Sequence, residues 1–145
     1  MDHRQAYLDL QKKHQDELSD FPIAYAFNNE QLERALEKLG AKKEECITYL
    51  GMGDIMKRSD IPAFEAMSKR HYEEVREAMK DPEFAEAAFL YEMDNHEYAI
   101  NWSGEEDVLA CFQMSRKDLR ELGLQLAWEM AERKHFEHAR EWEMI

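Results

Sequence analysis

The 145-residue chain carries 32 Asp and Glu against 19 Lys and Arg, a formal net charge of −13. That acidity excludes a general nucleic-acid binder, whose affinity comes from basic side chains on phosphates, and a protein that docks on anionic membranes. The length suits one α+β domain over residues 1–145 with its own core, and no run of about 18 apolar residues offers a membrane span. The polar start, Asp2-His3-Arg4-Gln5, lacks the apolar core of a secretory signal. Cys46 and Cys111 are far apart and each sits in an apolar setting, so they read as buried free thiols of a reducing, cytoplasmic compartment.

In chain order, residues 2–19 predict a helix, opened by Asp2 with Gln5 as a capping box and striped by Tyr7, Leu10, His14 and Leu18. Residues 21–27 predict a strand. Ile23, Tyr25 and Phe27 share one face, and the small Ala24 and Ala26 take the other, where something packs closely. Asn28 or Asn29 caps a short helix that runs to Leu39 and stops at Gly40. Cys46 to Leu50 and Ile55 to Lys57 predict the two arms of a hairpin turned at Gly51-Met52-Gly53-Asp54. The Gly51-x-Gly53 pair has the look of a phosphate cradle, but the third glycine and a following Gly-Lys-Ser/Thr are missing.

Asp60-Ile61-Pro62 opens a helix whose inner stripe is Ile61, Phe64, Met67, His71 or Tyr72, Val75 and Met79. Asp81 caps the next, residues 83–94, which is apolar nearly all round and so predicts a central helix buried on two sides. Asn95-His96 breaks it, and 97–102 predicts a further strand. Ser103-x-x-Glu106 predicts a capping box for a short helix with Val108, Leu109 and Phe112. Ser115-x-x-Asp118 resembles another cap, and a last helix is expected from about Arg116 towards Glu141, with stripes Leu119-Leu122-Leu126-Met130 and Leu124-Trp128-Ala131-His135-Ala139-Trp142. The sum is an α+β domain: a small antiparallel sheet of three to four strands covered by helices, with a long C-terminal helix.

The charge is uneven. Residues 1–62 hold 12 acids and 9 bases (−3), and residues 63–145 hold 20 and 10 (−10). Between Asp81 and Ser115 there are nine acids and no Lys or Arg. Glu83, Glu86, Glu97, Glu105, Glu106 and Asp107 are therefore the candidate partner-binding residues, for a basic protein that would meet them electrostatically. A DNA mimic needs acids in a rigid row, since duplex DNA carries one charge per about 1.7 Å. Glu83 and Glu86 share a side of their helix while Glu92 points nearly opposite, so a row would have to be assembled from several elements.

Three landmarks in residues 21–102 carry a resemblance: the Phe21-Pro22 strand opening, the Gly51-Met52-Gly53 turn, and Ser59-Asp60-Ile61-Pro62-Ala63-Phe64. So does Lys80-Asp81-Pro82-Glu83-Phe84 leading to Ala88-Phe89-Leu90-Tyr91-Glu92 and Asn95-His96-Glu97-Tyr98. This segment resembles small acidic uncharacterised proteins of phages and mobile elements of Gram-positive gut bacteria. The resemblance implies a context, in which small accessory proteins act against host defence, CRISPR systems included, by binding. It carries over no catalytic residues and does not cover the chain from Ser115 on.

Other constellations bear on chemistry. Glu132-x-x-His135 has di-iron ligand spacing, and His135-x-x-His138 adds a third group, but no second Glu-x-x-His exists to complete such a site. His135 reads better as a half-buried core residue. Glu92 and His96, four apart, could meet as an acid/base pair, against the plainer reading of a histidine at a helix C-terminus. The expectation is an anti-CRISPR-like inhibitor. It binds a basic, nucleic-acid-handling host defence protein such as a nuclease effector, by occupying a nucleic-acid groove and without cofactor, metal or direct nucleic-acid contact. The alternatives are a housekeeping interaction module whose acidity serves solubility, and a small hydrolase using Glu92/His96 or a metal at Glu132/His135.

Overall fold

The computed structural model describes residues 2–145, and among them the chain forms seven α-helices and three strands. In order these are α1 (His3–Asp20), β1 (Ile23–Tyr25), α2 (Asn29–Leu39), β2 (Cys46–Ile47), β3 (Asp54–Lys57), α3 (Ile61–Ala78), α4 (Pro82–Asn95), α5 (Gly104–Ala110), α6 (Arg116–Glu121) and α7 (Gln125–Glu141). The fold is α+β, with one antiparallel sheet in the order β1-β3-β2. No helix among the described residues is long and apolar enough to cross a membrane. The residues group into two compact units, Lys12–Glu73 and Met1–Gln11 with Glu74–Ile145, the division falling inside α1 and α3.

In the unit Lys12–Glu73, β3 is the middle strand, pairing Ile23 with Met56 on one side and Ile47 with Met56 on the other. α2 starts where Asn28 accepts a hydrogen bond from the Gln31 N–H at 2.8 Å and stops at Gly40. Ala24, Ala35, Leu39 and Ile55 form one small core, in which the alanines allow α2 to lie close on the sheet. Ile23, Met56 and Phe64 form another. Tyr25 and Phe27 are exposed, so the expected large face of β1 holds only at Ile23.

The hairpin loop is organised by a carboxylate. Asp54 is 0 % exposed. Its Oδ2 accepts from the backbone N–H groups of Tyr49 (3.0 Å) and Leu50 (2.9 Å), and its Oδ1 from that of Met52 (3.1 Å). The loop with Gly51 and Gly53 thus does form an anion cradle, and the anion is the chain's own side chain. Gly53 stands at φ 78°, a conformation that costs a side-chain-bearing residue steric strain.

In the other unit, α4 runs through the main core with Phe84, Ala85, Ala88, Phe89 and Met93 buried, as its all-round apolarity predicts. Tyr7, Phe112, Trp128 and Ala131 close over it, with Phe89 edge-on to Trp128 at 5.1 Å and to Phe112 at 5.1 Å. Three expectations are corrected here. Residues 97–102 form turns, not a strand. Glu97 takes φ 51°, and its carbonyl accepts from Ile100 (2.9 Å) and Asn101 (3.0 Å), so the backbone satisfies itself locally and has no strand neighbour. The last helix is broken into α6 and α7. Gly123, at φ 70°, lets Leu124 N–H reach back to the Leu119 carbonyl at 2.7 Å, a helix stop rather than a helix interior. That break turns Leu122, Leu126 and Met130 outward, while Leu124, Trp128, Ala131, His135 and Ala139 are buried; Trp142, expected on the same stripe, lies past the end of α7 as its C-cap and is exposed. Finally, Ser103 makes no capping box with Glu106. Its hydroxyl lies 3.1 Å from Asp107 Oδ2, whereas Ser115 and Asp118 do form the predicted box.

Asp54 gives the first testable outcome. Burial alone would raise its pKa, but the backbone N–H groups of Leu50, Met52 and Tyr49 outweigh that and hold it below the usual carboxylate value. A folded pKa below the unfolded one, about 3.9, means the contribution is complete above that value and is lost as pH falls through the folded pKa. Asp54→Asn is expected to cost about 2–3 kcal/mol in urea unfolding at pH 7. The difference from the wild type shrinks as the titration is repeated below pH ~4.

Candidate functional site

The C-terminal end of α4 brings together the residues with the most chemistry. Glu92 and His96 lie one helical turn apart on one face, with His96 as the helix C-cap. Cys111 follows α5, and its Sγ lies 3.4 Å from His96 Nε2 and 3.4 Å from the Asp107 carbonyl oxygen. One ligand-type atom from each of Glu92, His96 and Cys111 falls within 4.8 Å of the others. The three are layered: Glu92 is 4 % exposed, His96 half-buried and Cys111 exposed. Cys111 is therefore not the buried thiol the sequence suggested, and both cysteines are free.

Glu92 is a carboxylate inside an apolar core, a costly placement unless donors reach it. The Tyr7 hydroxyl and the Cys111 thiol both lie close enough to feel its charge. The Tyr7 hydroxyl accepts from Gln11 Nε2 at 2.7 Å. Burial first, and the Glu92 charge second, push the Tyr7 hydroxyl far above its ordinary value. Burial, and then the nearby carboxylates of Glu92 and Asp107, push the Cys111 thiol up to about 12. At neutral pH this thiol holds its proton and is no nucleophile by itself, despite the imidazole beside it.

A second polar cluster ties α4 to α7. Asp94 Oδ1 is 2.7 Å from His135 Nδ1, and Oδ2 is 2.9 Å from His138 Nδ1. His135 is 0 % exposed, and its Nε2 accepts the Ala99 N–H at 2.9 Å. That bond fixes the neutral tautomer with the proton on Nδ1, donated to Asp94. Glu132 accepts from the Tyr98 hydroxyl at 2.7 Å. Both nitrogens of His135 are thus committed to protein partners, and Glu132-x-x-His135-x-x-His138 is a helix-to-helix clamp with no lone pair on His135 for a metal.

The six candidate partner-binding acids fall into two groups at opposite ends of α4. Its 14 residues span about 21 Å at 1.5 Å per residue. At the N-terminal end, Glu83 Oε2 is 2.9 Å from His3 Nε2, and Glu86 accepts from Lys134 Nζ at 2.7 Å. They border a groove of about 680 Å³ that also includes Pro82, Ala87, Leu126 and Met130. At the other end, Glu105 is paired with Arg116, and Asp107 accepts from Asn101 Nδ2 at 3.0 Å. Glu97 and Glu106 are exposed and, among the described residues, have no ion-pair partner. The loop between them carries Ile100, 55 % exposed, and Trp102, 101 % exposed. With no basic residue among them, Phe84, Phe89, Tyr91, Tyr98 and Trp102 are expected in the core and not as a base-stacking platform; Trp102 departs from that expectation.

The unit Lys12–Glu73 holds a separate pocket of about 820 Å³ against the sheet, with Phe27, Asn28, Lys43 and Arg58 at its wall.

Two outcomes test these clusters. Asp94→Ala is expected to lower unfolding stability by about 3 kcal/mol, because it strands the buried His135 proton, and His138→Ala by under ~1 kcal/mol because that ring is partly solvated. Alkylation of Cys111 by iodoacetamide at pH 8 runs on the order of 100-fold slower than that of a free thiol; Glu92→Gln accelerates it, followed by mass spectrometry.

No curated protein and no solved structure matches the chain. Residues 6–134, most of its length, match the model of a family of unknown function, DUF7659, and the chain belongs to that family.

Proposed function

We propose that the protein acts by binding a basic protein surface of the kind that handles nucleic acid, and that it docks through the loop Glu97–Ser103 and the first turn of α5. The observation that carries this reading is Trp102, which stands wholly in solvent on the same short stretch as exposed Ile100, Glu97 and Glu106. A large aromatic side chain gains more than most from transfer into a partner's pocket, and such anchors dominate interface energies. Unpaired carboxylates at the rim speed and orient encounter with a positive surface.

The loop is held for the purpose. Asn101 binds the His96 carbonyl (3.1 Å) and Asp107 (3.0 Å) through its Nδ2, and accepts from the Ser103 N–H at 3.1 Å. A preformed loop loses little conformational freedom on docking. The two separate acid groups support a local anchor with an acidic rim more than a continuous row imitating duplex charge. Inhibition of a nucleic-acid-handling protein would follow from covering its basic surface.

The tagged protein, incubated with lysate containing nuclease defence systems, is expected to retain a basic nucleic-acid-binding protein at low salt. The complex weakens as salt rises through the physiological range. Trp102→Ala weakens it by about 2 kcal/mol or more, and Glu97→Lys with Glu106→Lys slows association in surface plasmon resonance. Retention of the same partner by Trp102→Ala and by the double charge reversal, undiminished at high salt, would sink the reading.

A further inference from the structure

We propose that Glu92, His96 and Cys111 form a binding site for one divalent cation of the zinc class, with the fourth position left to water on the Cys111 side. The donors are a carboxylate oxygen, an imidazole nitrogen and a thiol sulfur, a set that matches zinc and not the all-oxygen preference of calcium or magnesium.

The geometry is close to what such an ion needs. Bonds of about 2.3 Å to sulfur and about 2.0 Å to nitrogen set a tetrahedral sulfur-to-nitrogen separation of roughly 3.5 Å. The observed separation of Cys111 Sγ from His96 Nε2 is 3.4 Å. All three ligand atoms lie within 4.8 Å of one another, so rotation of side chains by about an ångström closes the set around an ion. Charge also balances. On binding, the thiol proton leaves to solvent and the sulfur–metal bond replaces the S–H bond. The thiolate and the Glu92 carboxylate then carry two negative charges against the two positive charges of the ion, and His96 binds neutral.

The surroundings fit as well. Tyr7, itself held by Gln11, stands beside Glu92, where outer partners of carboxylate ligands stand. Cys111 is exposed and provides the way in. Glu92 is 4 % exposed and takes part in no ion pair among the described residues, and a cation would offset its charge. None of its three ligands belongs to the proposed docking surface, although that loop abuts the site through the bond from Asn101 Nδ2 to the His96 carbonyl.

The test uses the full chain freed of metal by a chelator. It is titrated with zinc against a chromophoric competitor, and with cobalt(II), whose thiolate-to-metal charge-transfer absorption in the near ultraviolet reports a metal–sulfur bond. One equivalent is expected to bind, with the charge-transfer band and a raised Tm. Cys111→Ser abolishes the band and weakens zinc binding by roughly 100-fold, His96→Ala weakens it comparably, and Tyr7→Phe by roughly 10-fold. Cys46→Ser changes neither. Cys111 is at the surface, so the metal-free Cys111→Ser protein keeps its circular dichroism spectrum. A wild-type protein without the cobalt–thiolate band, or zinc binding that survives Cys111→Ser and His96→Ala intact, overturns the proposal.

Discussion

The carboxylate of Asp94 is the point on which the unit built around α4 depends. Its two oxygens meet two histidines of α7, 2.7 and 2.9 Å away, and one of those rings is wholly buried with its other nitrogen on the Ala99 N–H. Apolar packing between α4 and α7, through Phe89 on Trp128, supplies attraction but little direction. A helix apolar nearly all round could slide or rotate against its neighbour at small cost. Hydrogen bonds at fixed distances do not permit that, and a one-turn shift would leave His135 buried without its acceptor. The clamp therefore sets where α4 ends, and so where Glu92, His96 and the 97–103 loop stand.

Seen this way, the net charge of −13 overstates the free negative surface. Asp54 is spent on the hairpin loop, Asp94 on the histidine clamp, Asp107 on Asn101 and Ser103, and Glu132 on Tyr98. Glu86 and Glu105 meet Lys134 and Arg116. The first four act as internal acceptors for buried or part-buried donors, while Glu86 and Glu105 are neutralised by cations that remain half exposed. The carboxylates left over at Glu97 and Glu106 matter because they flank in sequence an aromatic side chain, Trp102, that is wholly exposed.

Much of the candidate site was half legible. Glu92 and His96 share a helix, so their i, i+4 spacing already placed them on one face. Cys111 could not be joined to them, because the link runs through the turn after α4 and the whole of α5. The misplacement of 97–102 on a strand had the same root. Tyr98-Ala99-Ile100-Asn101-Trp102 alternates like a half-buried strand, and the pattern cannot reveal that Glu97 reverses the chain at φ 51°. With that reversal Tyr98 packs on Trp128 while Trp102 is thrown outward.

The sequence by itself determined the elements whose signals are local. The Asn28, Asp81 and Ser115 caps, the stop at Gly40 and the hairpin at Gly51–Asp54 each rest on contacts a few residues long, the buried α4 announces itself by its all-round apolarity, and each stands where it was expected. Tertiary structure alone decided which of two plausible stripes on the last helix is core, since Gly123 could sit inside a helix or end one until neighbouring packing chose. It also decided which acids are spent and which are free, and that a thiol, an imidazole and a carboxylate from separate stretches share one small volume. Those outcomes depend on where distant side chains arrive, and periodicity carries no information about that.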